Sequence, residues 1–179
     1  MPEHILPLRR HLFLTGDKQV GKSTLLRRLI EARGLDCAGF ETRHFDIDGM
    51  RRAHVLHGLV DMPPYENDCI CCVRVNDRRS VAVPHVFDVN GAEILRLSIE
   101  SPTPYILMDE LGKLERKSER FVGGIFAALD SGKRVLGVLQ QCTADHLSAI
   151  MERDDVTVIT VTCENRDMLL EMLIKAFDK

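Results

Sequence analysis

Apolar positions along the chain fall into short runs and helical stripes that alternate over most of its length. Residues 11–14 form a largely apolar run that stops at Gly16, the pattern of a buried strand entering a turn. Residues 22–33 set Leu25, Leu26, Leu29 and Ile30 at helical spacing, and Gly34 supplies a stop. Residues 36–42 read as the next strand. The stretch from 43 to 83 changes character. Residues 45–59 read as two extended runs around Asp48-Gly49, a hairpin signal. Residues 61–68, with Pro63-Pro64, read as a loop. Residues 69–75 and 80–83 read as a second strand pair around Asn76-Asp77. Alternation then resumes: Asn90 caps a helix running to about Glu100, 105–108 is an apolar strand, and 118–129 is helical with Gly132 near its end. Residues 134–139 form a strand, 144–152 a helix, 156–161 a β-branched strand and 166–177 a closing helix. Strands separated by helices of this length need crossover connections. The pattern predicts an α/β fold with a mainly parallel sheet, helices on both faces, and antiparallel strands at one edge. No repeat or low-complexity linker divides residues 1–179, so one domain is expected, with 43–83 as a hairpin or lid-like insertion.

Composition narrows the class. A chain of 179 residues can bury its own core, and no apolar run is long enough to span a membrane. Residues 1–10 lack the apolar stretch and small-residue cleavage site of a secretion signal, so the cytoplasm is the expected compartment. Lys and Arg number 24 against 27 Asp and Glu, a net charge of −3 that argues against nucleic acid as the principal partner. The basic doublets Arg9-Arg10, Arg27-Arg28, Arg51-Arg52 and Arg78-Arg79 read as solvated faces. The six cysteines (37, 69, 71, 72, 142 and 163) read as reduced thiols, since a full core needs no staples.

The chemistry begins at Gly16-Asp17-Lys18-Gln19-Val20-Gly21-Lys22-Ser23, a complete G-x-x-x-x-G-K-[ST] phosphate loop between a strand and an amphipathic helix. Its glycines let the backbone turn its N–H groups onto phosphate oxygens at a helix N-terminus. Lys22 is expected on the β- and γ-phosphates, Ser23 on Mg²⁺, and Thr24 on the α-phosphate of a nucleoside triphosphate. With this motif the predicted fold is a three-layer P-loop NTPase. A second element follows the strand at 105–108, which leads directly into Asp109-Glu110. Asp109 is expected to support Mg²⁺, and Glu110 to orient or deprotonate the attacking water. Asp109-x-x-Gly112 also fits a regulatory GTPase, but no Asn in the chain opens an N-K-x-D guanine motif.

With these blocks in place, the chain resembles the THEP1-type nucleoside-triphosphatases, which include the so-called cancer-related nucleoside-triphosphatase. The resemblance rests on Phe13-Leu14-Thr15-Gly16 with the loop, on Gly39-Phe40 with Thr42, and on Asp109-Glu110-Leu111-Gly112-Lys113-Leu114-Glu115. It continues through Val161-Thr162 and Glu164-Asn165-Arg166-Asp167. It implies slow, Mg²⁺-dependent hydrolysis of several nucleoside triphosphates to diphosphates, with weak base preference. Gly16, Gly21, Lys22, Ser23, Asp109 and Glu110 carry over as functional residues, and Lys113 and Glu115 in support, as an ion pair that fixes the loop. Departures fall at residues 17–20, at Arg43-His44-Phe45-Asp46, and at His85.

Other features are weaker. Cys69-x-Cys71-Cys72 lacks the second ligand pair of a zinc site, and strand alternation would turn Cys72 away from the other two. Glu164-Asn165-Arg166 reads as helix capping, with contact to the base as the alternative. Arg43, Arg51, Arg52 and Arg166 are candidates for a charge-stabilising arginine. The nearest rival function is a nucleotide or small-molecule kinase using arginines of the insertion as a lid. A third reading is a nucleotide-dependent binding module.

Overall fold

The computed structural model describes residues 8–47, 49–76 and 79–177. Residues 1–7, and Asp48, Asp77 and Arg78 of the two expected turns, lie outside the described residues. The described elements run β1 (His11–Thr15), α1 (Lys22–Arg33), β2 (Cys37–Ile47), β3 (Met50–Gly58), β4 (Cys69–Arg74), β5 (Ser80–Ala82), α2 (Pro84–Val86), a π-helical turn (Phe87–Gly91), α3 (Ala92–Glu100), β6 (Tyr105–Leu111), α4 (Glu119–Asp130), β7 (Arg134–Leu139), α5 (Asp145–Met151), β8 (Val156–Thr160) and α6 (Arg166–Ala176). All eight strands join one sheet in the order β5-β4-β3-β2-β6-β7-β1-β8. The five strands β2, β6, β7, β1 and β8 pair in parallel, and β3, β4 and β5 extend the β2 edge antiparallel. This is the α/β, P-loop NTPase fold that the pattern predicts, including its antiparallel edge.

Strand alternation divides the core between the two faces. On β1, Leu12 and Leu14 join Leu25, Leu26 and Leu29 of α1 and Leu169 and Leu173 of α6. Phe13 points the other way, into a cluster with Phe40, Ile94, Met108, Phe121 and Ile150. Phe121 anchors that second layer, with its ring 5.5 Å from Phe40 and 5.3 Å from Phe87. Gly137 on β7 makes room for it: a Cβ there would meet the Phe13 ring at 2.5 Å. On β6, Ile106 and Met108 face the Phe121 layer, and Leu107 belongs to the α1 layer. The same alternation turns Asp109 toward α1.

Two local expectations are corrected. Asn90 caps nothing: the helical segment already begins at Pro84, a residue suited to a first helical turn, and Asn90 lies inside the π-helical turn, its amide donating to the Glu66 carbonyl at 2.9 Å. In the same segment, Asp88 caps α4 from outside by accepting the N–H groups of Arg120 and Phe121. On β4, alternation fails because the β3–β4 register shifts between His54 and Val55, and Cys71 and Cys72 are both buried. A bulge of this kind puts two consecutive residues on one side.

One contact fixes how β2 lies against β6. Gly39 has φ +108°, and a Cβ there would stand 2.0 Å from the Leu107 carbonyl oxygen, a backbone atom that cannot give way. Backbone strain of ~1–3 kcal/mol and overpacking of ~1–3 kcal/mol then add. The sum is ~2–6 kcal/mol, so Gly39→Ala is expected to lower the thermal midpoint by roughly 4–24 °C, at about 2–4 °C per kcal/mol for a chain of this size. A midpoint within a degree of the parent's would mean that β2 is not seated on β6 in this register.

Candidate active site

The site lies at the carboxyl ends of β1 and β6, where parallel α/β sheets place their ligands. Thr15 hands the chain to Gly16, whose φ of +139° brings its Cα against the Val161 carbonyl; a Cβ would stand 2.3 Å from that oxygen. Asp17, Lys18 and Gln19 are exposed, and Gln19 takes a positive φ of 62°. Val20 is buried in the α1 layer and pins the far side of the loop. Gly21, with φ +101°, opens α1 without a side-chain cap, which leaves the first N–H groups of the helix to a ligand. Lys22 is buried, and its ammonium donates to the carbonyls of Gly16 at 2.8 Å and Asp17 at 2.7 Å. The cation is thus already drawn across the loop. Thr24 is exposed on the first turn.

Asp109 enters from β6. It is 7% exposed, and Ser23 Oγ donates to its Oδ1 at 2.7 Å. Burial pushes its carboxyl up to about 6; the Ser23 hydrogen bond opposes that, and the charges of Glu110 and Glu41 add to it. A hydroxyl and a carboxylate one hydrogen bond apart, beside a phosphate loop, are hard oxygen donors of the kind a small divalent cation selects. Among the described residues no three His, Cys, Asp or Glu side chains are placed to hold a metal. Cys69, Cys71 and Cys72 are not placed as such a group, and a cation at Ser23 and Asp109 would have to take most of its shell from phosphate and water. Glu110 is half-buried at the same strand end, across a cis peptide from Asp109, and its charge is also felt by Glu115 and Cys142.

The expected Lys113–Glu115 ion pair is not made. Lys113 is exposed, whereas Glu115 is buried and accepts the Gly112 N–H at 2.7 Å. Glu115 fixes the turn after Glu110 through the backbone instead. Asn165 likewise does not cap α6 with its side chain. It accepts the Thr162 N–H at 2.8 Å and donates to the Thr160 carbonyl at 2.9 Å, which ties the loop after β8 together.

Two cavities flank the loop. One, of about 370 Å³, is bordered by Gln19, Gly21, Thr24, Arg28, Arg166 and Leu170, with the Arg166 guanidinium beside Gly21. The other, of about 280 Å³, is bordered by Ser23, Arg27, Cys37, Glu41, Leu107 and Asp109. Arg28 and Glu41 are absent from the sequence motifs. Arg28 was legible one helical turn beyond Thr24, but Glu41 depends on how β2 pairs with β6, which no local pattern encodes. Arg52 and Arg74 lie on β3 and β4, and Arg79 immediately precedes β5. Even β3 is four strand positions from β1, about 19 Å across the sheet.

Comparison with known proteins agrees with this geometry. The family model described as NTPase matches residues 11–174. The chain is 28% identical to the nucleoside-triphosphatase THEP1 of Thermofilum pendens, covering 93% of this chain and 94% of that protein. It is also 28% identical to the human cancer-related nucleoside-triphosphatase, covering 93% of this chain and 96% of that one. Among solved structures, THEP1 from Aquifex aeolicus superposes with a TM-score of 0.72 at 21% identity, over 94% of this chain and 99% of that one. The solution structure of a human cancer-related nucleoside triphosphatase gives 0.69 at 27% identity, over 94% and 97%.

The buried carboxylate carries a stability cost. Because burial raises the Asp109 pKa from an ordinary 3.8 to about 6, ionising it in the fold disfavours the native state. The cost is absent below pH 3.8, grows as pH rises, and is complete above about 6, where it amounts to ~3 kcal/mol. Asp109→Asn is expected to raise the thermal midpoint of the ligand-free protein at pH 8 by several degrees, with a gain that shrinks toward pH 4. Denaturation scans across that range check it; an unchanged or lower midpoint at pH 8 would mean that Asp109 is not held in a desolvated site.

Proposed function

This chain belongs to the NTPase family, and we propose that it is a Mg²⁺-dependent nucleoside triphosphate phosphohydrolase, slow and tolerant of the base, that releases phosphate and the diphosphate. The observation that carries the reading is the 2.7 Å contact between Ser23 and Asp109 at the mouth of the phosphate loop. It brings the two metal-supporting groups of the motifs together from elements 86 residues apart.

In this reading the N–H groups of residues 16–23 hold the phosphates, and Thr24 donates to the α-phosphate. Lys22 exchanges the Gly16 and Asp17 carbonyls for β- and γ-phosphate oxygens, a move of one side chain. Ser23 and Asp109 would hold Mg²⁺, which when bound would supply positive charge to offset the negative charge that develops on the phosphate oxygens. Glu110 orients the attacking water and accepts its proton. Slowness follows from the arginines. Arg27 borders the cavity beside Ser23, Arg28 and Arg166 border the one beside Gly21, and none of the three is in an ion pair among the described residues. An unanchored cation is not preorganised for the transition state. Tolerance of the base follows from the larger cavity, whose charged groups Arg28, Arg166 and Asp167 are all exposed; strong discrimination needs buried polar groups that a wrong base leaves unpaired.

The kinase reading loses support because Arg52, Arg74 and Arg79 of the insertion lie beyond β2 on the antiparallel side of the sheet, and Arg43 on β2 is paired with Glu41. Among the described residues no helix is long and apolar enough to cross a membrane. A cytoplasmic protein acting on free nucleotide, without nucleic acid, suits the charge and the thiols.

The decisive measurement is phosphate release from a panel of triphosphates, with and without Mg²⁺ and with no acceptor present. Release from several bases, abolished by chelation, is expected. Glu110→Gln should retain triphosphate affinity and lose ~10²–10⁴-fold in single-turnover release. Negligible release until an acceptor is added would establish a kinase, and unchanged turnover in the variant would remove Glu110 from the chemistry.

A further inference from the structure

The smaller cavity contains an acid that the motifs do not name. Glu41 stands directly opposite Asp109 in the parallel β2–β6 register. Adjacent strands are about 4.8 Å apart, and residues paired in this way present their side chains to the same face. The neighbours of Glu41 fix that face. Phe40 is buried in the Phe121 layer on the other side of the sheet, so Glu41 turns toward α1, as Asp109 does after Met108. Gly39, one step earlier on the α1 face, has no side chain to fill the space between. Glu41, Asp109 and Ser23 consequently border one cavity, and the Glu41 charge reaches Asp109.

The Glu41 carboxylate is not engaged elsewhere at full strength. Its partner is the Arg43 side chain on the same strand, with both nitrogens 3.4 Å from Oε2, and Arg43 is half-exposed and also reaches toward Asp68 at 3.8 Å. Charge-assisted hydrogen bonds close to about 2.7–2.9 Å. The Glu41 side chain is itself only 22% exposed. Two carboxylates turned into one partly enclosed space repel each other; Arg27 opposes Asp109 from α1, and Glu41 has only the long contact with Arg43 among the described residues. The arrangement makes physical sense when a cation shares the space.

We propose that Glu41 is a positioning carboxylate of the metal site, which accepts a hydrogen bond from water bound to the cation held by Ser23 and Asp109. This rests on the reading that a divalent cation sits at Ser23 and Asp109, and adds a group to it. Magnesium dehydrates reluctantly and keeps several waters, so a site with one hydroxyl and one carboxylate needs acceptors for them. Glu41 supplies one from the wall away from the phosphate loop. No bond is made or broken by Glu41; it holds the shell and leaves the attacking water to Glu110.

The test is Mn²⁺ binding by electron paramagnetic resonance, in the presence of a non-hydrolysable triphosphate analogue, for the parent, Glu41→Gln and Asp109→Asn. Groups that hold a metal's shell typically contribute ~10–100-fold in affinity. Glu41→Gln is expected to weaken Mn²⁺ by about tenfold without weakening metal-free analogue binding, and Glu41→Asp to restore Mn²⁺ affinity in part. If Asp109→Asn weakens Mn²⁺ and Glu41→Gln changes it less than about twofold, the role of Glu41 is overturned and the metal site stands. If neither variant weakens Mn²⁺, the metal reading fails and takes this one with it. Should Glu41→Gln fold poorly, Glu41→Asp carries the measurement: its shorter side chain must weaken Mn²⁺ measurably, and parental affinity would overturn the proposal.

Discussion

The hydrogen bond from Ser23 to Asp109 depends on almost everything else in the molecule. Ser23 sits on the first turn of α1, whose position is set by the packing of Leu25, Leu26 and Leu29 against β1 and β7. Asp109 sits on β6, which does not touch β1, because β7 lies between them. A 2.7 Å contact across that interval requires the register of β6 on β7 and of β7 on β1 both to be right. Side chains on β7 alternate in the same way as those of β6, and Gly137 lets Phe13 pass beneath the sheet without pushing β1 and β6 apart. A one-residue slip in either pair would send Asp109 into the Phe121 layer, where a carboxylate has no partner.

The local grammar of the sequence was legible because each signal had a local cause. The glycines of the phosphate loop stand where φ is positive, the apolar stripe of α1 faces the sheet, and the antiparallel edge was announced by turn residues. What sequence reading missed was set across the chain. The helix expected from Asn90 starts at Pro84, because Asp88 reaches α4 and Ser118 Oγ reaches the Pro84 carbonyl, contacts 34 residues or less apart but invisible in periodicity. Cys71 and Cys72 share burial through a bulge that belongs to the pairing with β3. Lys113 and Glu115 have the spacing of an ion pair, yet Glu115 satisfies a backbone N–H that the turn at Gly112 leaves without a strand partner. A Cβ at Gly112 would meet the Gln140 side-chain Oε1 at 2.1 Å, so a larger residue there would have to displace that side chain.

Charge at the strand ends follows a consistent logic. Asp109 and Glu115 are both buried, and desolvation raises the pKa of each; Glu110 and Glu41 add negative charge around them. Nearby positive charge comes from Lys22, turned into the loop, and from Arg27 at the rim. A fold selected only for stability would replace these acids with neutral groups, because a buried carboxylate without a close cation is costly. Keeping them makes sense when the missing positive charge arrives with the ligand. The same acids would repel a bare triphosphate, so under the proposed function phosphate binding and cation binding would be coupled through electrostatics.

The two sheet faces differ in a way that serves this coupling. The Phe121 layer is covered by α3, α4 and α5, and its residues are almost all inaccessible. On the other face, α1 and α6 cover β1, β7 and β8, and the cover ends above β6 and β2, where the cavity beside Asp109 opens. Rigidity is concentrated beneath the site and access is concentrated above it. Strand register, fixed from the closed face by Phe13, Phe40 and Met108, sets where Asp109 and Glu41 stand. The open face leaves their carboxylates in reach of water and ions. A helix laid over β2 and β6 would bury more apolar surface, but it would also close the cavity that Ser23, Glu41 and Asp109 border. The incomplete layer leaves that space open, while the apolar core is closed on the opposite face.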